Sequence, residues 1–155
     1  MKPDTTAPVE ARPLSEYLCF AVYSANLAFG RAYKPTLESL GLTYTQYIAL
    51  VAIHEAGNLT VGSLGEKLFL ESNTLTPLLK KLEAMGHVQR QRDSTDERLV
   101  RVSLTDTGRR VQAKATQDNS CLVAATGLPP DEFTELQEAV ATLRGSLIQA
   151  TSSGH

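Results

Sequence analysis

Apolar residues recur at a helical period along most of the chain. Leu18, Val22, Ala25 and Phe29 share one face of a first helix that Ser15 is placed to cap. Gly30, Pro35 and Gly41 are expected to interrupt the stretch that follows. Thr43 and Gln46 form a T-x-x-Q capping box at the head of YTQYIALVAIHEAG, a mostly apolar helix that Gly57 should stop. Thr60 is placed to cap a short helix through Leu70. Ser72 is placed to cap a longer one that ends at Gly86, with Leu75, Leu78, Leu79 and Leu82 as its buried stripe.

Beyond Gly86 the period drops from about 3.6 to 2. Val100, Val102 and Leu104 alternate with Arg101 and Ser103, as in a half-buried strand, and His87–Arg92 is the expected partner across a tip at Asp93–Arg98. Thr105 then caps a long helix to about Ala125, and GLPPDEF opens a last one. Residues 1–13 and the terminal TSSGH read as flexible tails around a single domain at 14–150. Four helices, a hairpin and two helices make a mainly α fold with a small β wing. This is the order of a winged helix-turn-helix, with its core expected at about 58–108 and flanking helices at about 14–40 and 105–150.

Composition narrows the function. The 155 residues are 42% hydrophobic and 6% aromatic with no Trp, and no run approaches the roughly 18 apolar residues that cross a bilayer. The polar, partly acidic start is not a signal peptide, so a cytoplasmic protein with no membrane role is expected. Two cysteines, Cys19 and Cys121, are too few for a disulfide scaffold and match no zinc spacing; His54 and His87 are isolated, and neither a metal nor a cofactor is implied. The net charge is −2, but residues 71–114 carry nine basic and six acidic side chains. Positive charge is therefore concentrated where a nucleic-acid surface is expected.

In a helix-turn-helix the N-terminal residues of the second helix face base edges. Here they are Ser72, Asn73, Thr74, Thr76 and Pro77, small hydroxyls and an amide that reach bases or phosphates, with Lys80 and Lys81 nearer the phosphates. On the hairpin, Arg90, Arg92 and Arg98 are candidate contacts, and a guanidinium at the tip suits the deep negative potential of a narrow minor groove. Asp96, two positions before Arg98, is placed to hold that side chain extended. The plain alternative is a solvated turn with charges of both signs.

The wing sequence DSTDERLVRVSLTDTG, with its D-x-R, and the L-x-x-L-x-x-x-G of LLKKLEAMG before it resemble the MarR family of transcriptional repressors over about residues 14–148. The resemblance implies a homodimer built on its first and last helices and a pseudo-palindromic double-stranded operator. Two recognition helices would occupy major grooves about 34 Å apart. Asp96 and Arg98 take the wing roles by the same resemblance.

Within that family, LCFAVYSANLAFGRAYKPTLESLGLTYTQY resembles the organic-hydroperoxide-sensing OhrR branch. The resemblance makes Cys19 the reactive thiol, Tyr33 and Tyr44 the partner-subunit residues that hydrogen-bond its sulfur, and Cys121 a resolving cysteine. A cap at Ser15 would place Cys19 near the helix end that attracts negative charge. Tyr33 lies 14 residues on, about 21 Å along a continuous helix, so a shared site requires dimerisation or a chain reversal. Oxidation of Cys19 to a sulfenic acid and condensation with Cys121 of the other subunit would cap the chemistry at a reversible disulfide and release DNA.

Plainer readings stand beside these. Both cysteines have apolar neighbours and suit inert core positions, and Tyr17, Tyr23, Tyr33 and Tyr47 suit dimer packing. A repressor released by a small aromatic ligand is the nearest rival. A thiol peroxidase or disulfide oxidoreductase is the rival from another class, but no C-x-x-C is present and the wing would have no purpose. A DNA-binding protein rather than an enzyme is expected.

Overall fold

The computed structural model describes residues 11–154, with the backbone alone described at 119–121. The first ten positions of the expected N-terminal tail, His155 and the side chain of Cys121 therefore lie outside the described residues. After a turn of 3-10 helix at Leu14–Glu16 come α1 (Leu18–Ser39), α2 (Tyr44–Ala56), β1 (Leu59–Thr60), α3 (Val61–Leu68) and α4 (Ser72–Ala84). β2 (Val88–Arg92), β3 (Val100–Leu104), α5 (Asp106–Ala125) and α6 (Pro130–Ser152) complete the order. The architecture is a winged helix; the hairpin that the change of period indicated is joined by β1 into a three-stranded antiparallel sheet.

The chain folds as two compact units, Met1–Ala115 and Thr116–His155. In the first, Leu50, Ile53, Leu64, Leu75, Leu79, Leu82 and Val102 are fully buried, joining α2, α3, α4 and β3 in one core. A leucine so placed contributes about 2–3 kcal/mol. The strands run in the order β1-β3-β2, with Val88 opposite Leu104, Arg90 opposite Val102 and Arg92 opposite Val100. In the second unit the described part of α6 buries no residue, and Leu136, Val140, Leu147 and Ile148 are exposed.

The local signals act as expected at several helix ends. Thr43 accepts from the Gln46 N–H while the Gln46 side chain accepts from the Thr43 N–H, a complete capping box. Thr60 accepts from Ser63 N at 3.1 Å, Thr105 accepts from Gly108 N at 3.0 Å, and Gly57 ends α2 at φ 74°.

Other expectations need correction. Ser15 lies in the 3-10 turn and Tyr17 occupies the N-cap of α1 without a side-chain cap bond. Gly30 and Pro35 do not interrupt α1, which ends only near Leu40 and Gly41. The missing N–H of Pro35 removes one hydrogen bond, and flanking turns carry the helix past it. Glu71, not Ser72, is the N-cap of α4, so Ser72 is its first helical residue. Helix α3 stops at Leu68 because Phe69 turns left-handed at φ 56°. Strand β1, absent from the expected elements, has two residues and is too short to show any periodicity. Thr151 and Ser152 belong to α6 rather than to a tail.

Candidate nucleic-acid interface and thiol site

Helix α4 separates its residues by face. Leu75, Leu78, Leu79 and Leu82 are buried, whereas Ser72, Asn73, Thr74, Thr76, Pro77, Lys80 and Lys81 are exposed. Pro77 sits inside the helix without ending it. Gly65 permits the tight α3–α4 turn: a Cβ there would meet Leu70 O at 3.0 Å and Leu75 Cδ2 at 3.3 Å. Nothing in the apolar pattern singled Gly65 out.

The hairpin is fastened to this helix. Arg90 on β2 donates to Glu83 of α4 through Nε at 3.1 Å and Nη2 at 2.7 Å, and this bond holds the Glu83 carboxyl below its usual range. Arg90, expected as a DNA contact, is thus half-buried and engaged as a brace between α4 and β2. Arg92 is exposed and donates to the Glu97 carbonyl at 3.2 Å.

At the tip, the Asp96 carboxylate accepts from Arg98 Nε at 3.0 Å, Arg98 Nη2 at 3.1 Å and the Arg98 backbone N–H at 3.1 Å. The paired guanidinium lowers the Asp96 pKa, while the Arg98 side chain stays 90% exposed. A fork held at its base and free at its end suits insertion into a groove. Asp93, read from sequence only as a tip charge, is instead buried. Its carboxylate accepts from Thr95 and Asp96, and Arg101 pairs with it; the Thr95 hydroxyl first and Arg101 next hold it well below the usual carboxylate range.

Cys19 is the second residue of α1, exposed, beside an open hollow of about 330 Å³ lined by Leu14, Tyr17, Phe20 and Tyr23. Within the single chain Cys19 is therefore not part of the hydrophobic core. Tyr33 and Tyr44 are brought together, with ring centroids 5.1 Å apart. Tyr47, three residues after Tyr44 on α2, is 5% exposed and packs on Tyr33 at 5.9 Å, so it is a core residue and not a dimer-packing one. Burial, and secondarily Tyr47, pushes the Tyr44 phenol up, which keeps it a hydrogen-bond donor. Because α1 is continuous, Cys19 and Tyr33 of one chain are separated along it by about 21 Å. The tyrosine pair does not reach the thiol of its own chain.

Among the described residues no group of His, Cys, Asp and Glu could hold a metal, and no helix is long and apolar enough to cross a membrane. His54 is exposed; His87 is buried, with Nδ1 lacking a hydrogen-bond partner.

Residues 31–114 match the transcriptional regulator SarA/Rot family. The HTH-type transcriptional regulator TtmR of Methylorubrum extorquens is 46% identical over 138 residues, covering 89% of this chain and 71% of the relative. The chain belongs to the MarR family. Within the family it falls in the OhrR-like branch. The organic hydroperoxide resistance transcriptional regulator of Bacillus subtilis is 38% identical over 136 residues, covering 88% of this chain and 92% of that one. Among solved structures, reduced AbfR bound to DNA aligns at a TM-score of 0.72 and 36% identity over 87% of this chain and 94% of that chain. AbfR, a protein of Staphylococcus epidermidis, is also solved in an overoxidised form on DNA. This MarR-family member is accordingly a DNA-binding transcriptional regulator.

Proposed function

We propose that the protein is a homodimeric repressor that binds a pseudo-palindromic operator and is released when an organic hydroperoxide oxidises Cys19. What carries this reading is the placement of an exposed thiol beside an apolar hollow, in a chain whose relative in Bacillus subtilis is an organic hydroperoxide resistance regulator. The apolar lining suits the organic part of such an oxidant better than hydrogen peroxide.

The exposed polar face of α4 reads the major groove, and Arg92 and Arg98 flank it from the wing. Exposed apolar side chains on α1 (Leu18, Val22, Leu27) and on α6 (Leu136, Val140, Leu147) support a dimer built on those helices. In that dimer Tyr33 and Tyr44 of one chain serve Cys19 of the other. Both phenols donate to the sulfur and stabilise its anion.

The Cys19 thiolate attacks one oxygen of the peroxide; the O–O bond breaks, an alcohol leaves and a sulfenic acid forms. The Cys121 thiol of the other subunit then attacks that sulfur, expelling water and closing a disulfide. Closure requires Cα atoms within about 7 Å, so it biases the helices that set the operator half-site spacing.

Anisotropy of a labelled duplex, selected by the reduced protein from a random-sequence pool, tests this directly. Cumene hydroperoxide should abolish binding, dithiothreitol should restore it, and Cys19→Ser should bind DNA but ignore the oxidant. Binding that survives oxidation would favour the rival in which a small aromatic ligand is the effector.

A further inference from the structure

We infer that Asp93 is a positioning residue for DNA binding: its buried carboxylate fixes the wing tip so that the Asp96–Arg98 pair is presented to the groove. The assignment depends on Arg98 reaching DNA, as proposed for the wing.

Asp93 is 7% exposed although its neighbours Ser94 and Thr95 are exposed. One carboxylate oxygen, Oδ1, accepts from the Thr95 N–H at 2.8 Å, the Thr95 hydroxyl at 2.6 Å and the Asp96 N–H at 3.1 Å. The other, Oδ2, takes the Nε–H of Arg101 on β3, a residue that faces Gln91 on β2 and Thr60 on β1 across the sheet. The backbone closes the same loop, with Asp93 N donating to Leu99 O at 2.9 Å and Leu99 N donating to Asp96 O at 3.0 Å. A continuous hydrogen-bonded path thus runs from the sheet through Arg101 and Asp93 to Asp96, and from Asp96 to the Arg98 guanidinium. Arg92 also reaches the turn, at the Glu97 carbonyl, and Leu99 holds the Asp96 carbonyl; the Asp93 side chain adds the hold on the Asp96 N–H.

A carboxylate on a surface meant for phosphates carries an electrostatic cost, and Arg101 offsets it. Removing Asp93 deletes a negative charge and frees that guanidinium. Phosphate electrostatics alone would then make binding tighter. Loss of positioning makes it weaker. The two roles predict opposite signs.

The test is a double-mutant cycle on the duplex selected from a random pool, with a scrambled duplex of equal composition as the non-specific control. Asp93→Ala should weaken binding to the selected duplex by roughly tenfold, less on the scrambled one, and should have no weakening effect in an Arg98→Ala background. Tighter or unchanged binding by Asp93→Ala, while Arg98→Ala weakens it, would overturn the role. So would an equal loss in both backgrounds, which signals general damage to the fold. If Arg98→Ala itself changes nothing, Arg98 does not reach DNA, Asp93 has no contact to position and the assignment falls. Should Asp93→Ala melt far below the wild type, Thr95→Val, which removes only the hydroxyl bond, is placed in the same cycle. It should show a smaller weakening that again disappears without Arg98, and a Thr95→Val effect that persists there counts against the assignment.

Discussion

The carbonyl oxygen of His87 lies 1.9 Å from where a Cβ on Gly108 would stand. The first turn of α5 is pressed directly against the backbone that links α4 to the wing. Thr105 holds the contact from both sides, donating its N–H to His87 O at 3.0 Å and its hydroxyl to Gly86 O at 2.5 Å. Gly108 does not adopt a positive φ; the space where its Cβ would stand is occupied by backbone that cannot swing aside.

Gly108→Ala should therefore destabilise the protein by about 1–3 kcal/mol or more, since the clash must be relieved by moving a helix. Circular-dichroism melts at matched protein concentration would register this as a drop of several degrees, about 2–4 °C per kcal/mol at this size. Gly62→Ala, at an exposed position of α3, is the control: a Cβ there meets only Thr60 Oγ1 at 4.0 Å, so its melt should stay at or slightly above the wild type.

His87 should make stability fall under mild acid. Burial lowers its pKa below the ordinary 6.5, so the folded protein resists a proton that the unfolded chain accepts. The contribution is complete above pH of about 6.5 and is lost as pH falls through the lowered folded value. Melting temperatures between pH 7 and pH 5 should decline more steeply for the wild type than for His87→Leu. Parallel slopes would remove His87 as the cause.

If Tyr33 and Tyr44 donate to the sulfur, Tyr33→Phe and Tyr44→Phe should each slow oxidation of Cys19 while leaving the reduced protein bound to DNA. Stopped-flow titration of the thiol with cumene hydroperoxide gives the rate. A loss on the order of tenfold per phenol is expected for a charge-assisted bond. The packing of Tyr33 on Tyr47 survives in either variant, so an effect on the rate reports the hydroxyl.

The two wing arginines should respond differently. Arg98→Ala removes an exposed fork and should weaken operator binding by roughly tenfold and reduce the salt dependence by about one phosphate. Arg90→Ala breaks the brace to Glu83, so it should lower the melting temperature in addition to any effect on DNA. Equal melts for the two variants would show that the brace contributes nothing to stability.

Much of this protein is determined by neighbours in sequence. Helix periodicity, the Thr43–Gln46 box, the caps at Thr60 and Thr105, the stop at Gly57 and the alternation from Val100 to Leu104 are local signals, and each element formed where its signal lay. The polar face of α4 was legible for the same reason, because its buried leucines define the opposite side. Tertiary structure decided what depends on partners distant in the chain. Whether Pro35 breaks α1 depends on how the flanking turns pack, and there the helix continues. Whether Arg90 is free for DNA depends on Glu83, and whether Asp93 is a surface charge or a buried staple depends on Arg101 eight residues away. Gly108 shows the limit most plainly: its requirement is set by His87 O, and no pattern of hydrophobic and polar positions records the closeness of two backbones.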